Sequence, residues 1–104
     1  MVDNDLIRAL EHEGDRLSKS GDSLGAVNAN RVAGTLRCEL KEYQDAVNEV
    51  ARCTKRANCT AATTEDSIAL WFAEAARQER WASVVATRAH GNRVLQRRDR
   101  ALPY

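Results

Sequence analysis

The chain has 104 residues, enough for one domain, with 43% hydrophobic residues but only 5% aromatics and a single proline near the end. Such an alanine-rich composition suits a thin core between two or three helices and excludes the deep centre of an α/β enzyme, so the expected fold is all-α. Sixteen basic against fifteen acidic side chains leave a net charge of +1, which excludes a global field drawing the chain to nucleic acid or a membrane.

A first helix is expected over about 4–20, capped by Asp3 or Asn4. Leu6, Ile7, Leu10 and Leu17 form its apolar stripe, and Gly14 weakens its middle by about 1 kcal/mol relative to alanine. Ser20-Gly21 reads as its stop, with Gly21 in the left-handed position, and Asp22 or Ser23 caps the next helix.

The second helix, about 23–58, dominates the chain. Ala29, Val32, Leu36, Leu40, Tyr43, Val47, Val50, Thr54 and Ala57 follow one another in alternating steps of three and four. That is the seam of a helix packed along its length against another. At 1.5 Å per residue the seam runs for about 43 Å, so it needs a partner of similar length. Gly25 and Gly34, with Ala26, Ala29 and Ala33 beside them, predict close approach of another backbone near its start. The short first helix is placed there.

A short connection around Ala61-Ala62-Thr63 makes the third helix, about 64–90, an antiparallel neighbour of the second. Thr63 with Asp66, or Thr64 with Glu65 and Asp66, caps it. The fold predicted is therefore an antiparallel helical hairpin of two long helices with a short N-terminal helix, making one all-helical domain. Ile68, Phe72, Ala75, Ala82, Ala86 and Ala89 form a small-residue face suited to lying against the second helix. A second face holds Trp81, Val84 and Leu95, with Trp71 and Val85 between the two. Ten residues separate the tryptophans, about 80° around a helix. One intramolecular partner does not easily cover both. His90-Gly91-Asn92 predicts a break or bend. A short basic helix over about 92–101 then follows, or the third helix simply continues, and Leu102-Pro103-Tyr104 is a tail.

Charge is uneven along the chain. Glu39, Glu42, Asp45 and Glu49 outweigh Lys41, and Arg88, Arg93, Arg97, Arg98 and Arg100 outweigh Asp99. The arginines are candidates for phosphate contacts, but no recognition helix precedes them and no aromatics interleave for base stacking. Nucleic acid is therefore the secondary expectation.

No catalytic constellation is evident. His12 and His90 lie beside no nucleophile, Glu74 and Glu79 do not share a helix face, and no phosphate-binding loop occurs. Cys38, Cys53 and Cys59 lack disulfide or zinc spacing and read as free thiols. Neither metal nor cofactor is expected. The acidic first residues do not resemble a signal peptide, and no apolar run approaches the roughly 20 residues of a membrane span. A cytoplasmic location is expected. Tryptophan and arginine are enriched in binding hot spots. Trp71, Arg77, Arg80, Trp81, Arg88, Arg93, Arg97, Arg98, Arg100 and Tyr104 are therefore the candidate partner-binding residues. A homodimer burying Trp81, or a structural coiled-coil dimer, is an alternative.

The run Leu6-Ile7-Arg8-Ala9-Leu10, through Gly21-Asp22-Ser23 to Arg31-Val32-Ala33, resembles the Ead-like group of small phage and prophage accessory proteins. The likeness covers the first third to half of the chain and lies in composition and punctuation, with no signature residue to carry over. It implies a phage-encoded inhibitor, of the anti-CRISPR or anti-restriction type, occupying a surface of a host defence or DNA-processing complex in the bacterial cytoplasm.

Overall fold

A computed structural model describes residues 3–100, with side chains as far as Arg97. Three helices follow one another: α1 (Asp3–Lys19), α2 (Ser23–Ala57) and α3 (Thr64–Arg100). No strand occurs among the described residues. The fold is an all-α helical hairpin, with α2 and α3 packed against each other along much of their length.

Local chemistry sets the helix ends. Gly21, at φ 91°, reverses the chain after α1. Around it the Asp22 amide donates to the Leu17 carbonyl at 2.8 Å and the Gly21 amide to Ser18 at 3.2 Å. These two bonds satisfy carbonyls that the helix end would leave without partners. Asp22 then accepts from the Gly25 amide at 2.9 Å, capping α2. Thr63 and Asp66 cap α3 reciprocally: Thr63 N–H donates to Asp66 Oδ2 at 2.9 Å, and Asp66 N–H to Thr63 Oγ1 at 3.3 Å.

The chain divides into two compact units. One comprises residues up to Cys38 with those from Val85 onward; the other is Glu39–Val84. In the first, α1 lies with the start of α2 and the end of α3. Leu6, Ile7 and Leu10 of α1, Ala26, Ala29, Val32, Ala33 and Leu36 of α2, and Val94 of α3 make its core. Ala29, Val32 and Leu36 are positions of the predicted seam, and Ala26 and Ala33 are among the small residues expected to receive the first helix. Glu13 is the one buried charged residue of the described set, and its carboxylate receives Arg16 Nε at 3.1 Å. That hydrogen bond, chiefly, raises the Arg16 pKa above its ordinary value.

In the second unit the core is thinner. Cys53, Ala73 and Val84 are buried, and Leu40, Tyr43, Val47 and Val50 are half-buried along α2.

Three expectations are corrected. The chain does not break at His90-Gly91-Asn92: α3 is one helix to Arg100, so of the two readings of the basic segment the one in which the third helix simply continues holds as far as the described residues go. Gly91 is buried because α1 crosses it closely. A Cβ added there would stand 3.1 Å from Leu10 Cδ1 and 3.5 Å from Val32 Cγ1. Nor is Gly34 a point of close approach, since a Cβ there would meet nothing within 4 Å, and the nearest atoms to one at Gly25 belong to the capping carboxylate of Asp22. Finally, the face of α3 expected to lie against α2 is not buried: Ile68, Phe72, Ala82, Ala86 and Ala89 are exposed and Ala75 is half-buried, with Ala86 at the edge of a hollow that Arg31 and Thr35 of α2 also line. The buried positions are Ala73, Val84, Gly91 and Val94, with Leu70 and Arg77 half-buried. Their steps of three, four and seven mark the true seam.

Candidate interaction surface on the third helix

The inward seam of α3 leaves an apolar surplus outside. Ile68, Trp71 and Phe72 are 49%, 65% and 61% exposed, within one turn of one another on the Glu39–Val84 unit. The rings of Trp71 and Phe72 meet edge to face at 5.1 Å, so each braces the other while both remain largely in water. Scattered exposed apolar residues are ordinary, but two aromatics and an isoleucine side by side form a patch of the kind that marks interaction sites. Farther along the same helix face, Ala82 is exposed and Ala75 half-buried.

Trp81 lies elsewhere. Its ring packs on Tyr43 of α2 at 5.0 Å and is 40% exposed, so it belongs in part to the packing between α2 and α3. The two tryptophans therefore do not form one surface, as their angular separation suggests.

The arginines divide similarly. Arg80 donates to Glu42 at 3.0 Å across the helix pair. Arg88 grips Asp3 with two hydrogen bonds, at 2.7 and 2.9 Å. Arg77 is half-buried on the inward side of α3. Arg93 and Arg97 are exposed. The side chains of Arg98 and Arg100, and the whole of Tyr104, lie outside the described residues. Spacing places Ile68 and Phe72 on the packed face, and their bulk beside the alanines that follow them is the feature that sets them apart.

Two hollows lie in the unit that contains α1. One, of about 220 Å³, is lined by Glu13, Arg16, Leu17, Asp22, Gly25, Asn28, Val94 and Arg97. The other, of about 300 Å³, is lined by residues that include Arg31, Thr35 and His90. Both are shallow and open. Among the described residues no three His, Cys, Asp or Glu side chains gather where a metal could be held. No helix among them is long and apolar enough to cross a membrane.

The three cysteines are free, with Cys38 and Cys59 exposed and Cys53 buried. Burial first, and then the hydrogen bond to the Glu49 carboxylate at 3.5 Å, push the Cys53 thiol above its ordinary pKa. This is the opposite of what a nucleophilic cysteine needs.

Compared with models of protein families, with curated proteins and with solved structures, the chain matches none.

Proposed function

We propose that this chain is a non-catalytic protein-binding module whose recognition element is α3. The observation that carries this reading is the exposed trio Ile68, Trp71 and Phe72. Fully burying a side chain of this class contributes roughly 1.5–3 kcal/mol. Three together on a preformed helix, which loses little order on binding, make an anchor for a partner groove. The engagement of Arg80 and Arg88 with Glu42 and Asp3 favours protein over nucleic acid, because it draws two arginines away from phosphate contacts. In a phage setting, as the resemblance of the N-terminal half implies, the chain would act by covering a surface of a host defence or DNA-processing complex.

The test is affinity capture with the tagged chain from a bacterial lysate, with and without nuclease, alongside a Trp71→Ser/Phe72→Ser variant. The reading expects a stoichiometric protein that survives nuclease and is lost with the variant. Capture abolished by nuclease and indifferent to the variant would overturn it in favour of nucleic acid.

A further inference from the structure

We propose that the hollow lined by Arg31 and His90 binds the phosphate group of a small molecule. It lies wholly within the unit that contains α1, whereas the aromatic patch belongs to the other unit, so the site is independent of the protein-binding reading.

Two helices supply the lining. Along α2, Asn28, Arg31 and Thr35 recur at steps of three and four and form one row; along α3, Thr87 and His90 stand three apart and form another. Val32 and the small side chain of Ala86 complete the walls of a space of about 300 Å³. Every polar side chain on this lining can donate a hydrogen bond, and none is a carboxylate. Arg31 offers a planar fork that matches two oxygens of an anion. Asn28, Thr35 and His90 carry further donors. A carboxylate would be satisfied by the fork alone, whereas a phosphate brings three acceptor oxygens and a second charge. The open mouth lets the remainder of a phosphate ester stay in water.

The surrounding charge favours an anion. From Ser23 to Cys38, α2 carries Arg31 and Arg37 and no acid; from Val85 to Arg97, α3 carries Arg88, Arg93 and Arg97 and no acid. Three carboxylates of α1 are engaged elsewhere: Asp3 with Arg88, Glu11 with Arg37 and Glu13 with Arg16. The nearest acid along α2 is Glu39, one turn beyond Thr35, and neither it nor Asp5 or Asp15 of α1 lines the hollow. The other hollow of this unit is the contrast. There Glu13 and Asp22 balance Arg16 and Arg97, so an anion meets no net positive charge.

The experiment is a titration of the full chain with sodium phosphate at constant pH and ionic strength, followed by amide NMR shifts. Sodium acetate is the carboxylate control, and a single-stranded oligonucleotide is the polymeric source of phosphate. Phosphate should shift the amides around Arg31 and His90 and saturate with a Kd of about 1 mM. Arg31→Gln, at an exposed position, should weaken binding by about tenfold with helicity unchanged. Arg8→Gln, equally exposed in the same unit but outside the lining, should leave it as it was. Shifts that fail to saturate by about 20 mM, well above the expected constant, overturn the site, as do shifts that survive Arg31→Gln. Acetate binding as tightly as phosphate overturns the choice of phosphate. An oligonucleotide that occupies the same residues and is not displaced by phosphate overturns the small molecule in favour of nucleic acid.

Discussion

Arg88 and Asp3, 85 residues apart in the sequence, meet through two parallel hydrogen bonds that tie the start of α1 to the last turns of α3. The pair is only partly exposed, with side-chain accessibilities of 31% and 24%. Its planar, two-pronged geometry places it above the usual surface ion pair. Arg88→Ala is therefore expected to lower stability by about 1 kcal/mol. Urea unfolding of the single and double variants at positions 3 and 88 measures the coupling. A double variant no better than the sum of the singles would show that the pair contributes nothing.

Two glycines within helices should respond oppositely to substitution. Gly34→Ala is expected to stabilise by about 0.5–1 kcal/mol, because the added methyl meets open space and removes backbone freedom from the unfolded chain. Gly91→Leu should destabilise by about 1–3 kcal/mol or more, since its side chain would be driven into Leu10, Val32 and Leu6. Thermal melts of both variants decide this, and equal effects would contradict the crossing of α1 over Gly91.

The start of α3 depends on the Thr63–Asp66 exchange. Thr63→Ala removes a side-chain acceptor from the Asp66 amide and should cost about 1 kcal/mol, whereas Thr63→Ser should be nearly neutral. The comparison of the two by chemical denaturation isolates the hydroxyl.

Thiol labelling tests the burial pattern. Cys38 and Cys59 should react readily with an alkylating reagent near neutral pH, and Cys53 should lag well behind. Two causes act in one direction: the sulfur is buried, and its raised pKa keeps it in the less reactive protonated form. Raising the pH moderately should therefore speed Cys53 little until the chain unfolds. Peptide mass spectrometry over a time course reads all three.

The difference between α2 and α3 shows how much was legible beforehand. From Ala29 to Ala57 most apolar residues of α2 recur at steps of three and four among charged ones, and every one of those seam positions is buried or half-buried, although Leu24 and Val27 before them are exposed. Along α3 apolar residues lie on two sides, and periodicity alone has no means of choosing between Ile68–Phe72–Ala82 and Ala73–Val84–Val94. The choice falls to packing that is remote in sequence. Tyr43 receives the ring of Trp81, and α1 requires a residue without a side chain where it crosses α3, which selects Gly91. The same ambiguity hid the candidate surface. Ile68 and Phe72 fit an inward seam by spacing, and only the burial of the opposite side leaves them outside.

The central claim is that the Ile68–Trp71–Phe72 face is covered by protein when the chain acts. Trp81→Phe leaves Trp71 as the only tryptophan, so its fluorescence and its quenching by acrylamide report that face alone. The account predicts water-exposed, readily quenched emission in dilute solution, shifting to shorter wavelength and losing quenching as a captured partner binds. Emission that stays exposed and fully quenchable while a complex forms would place the interface elsewhere and contradict it.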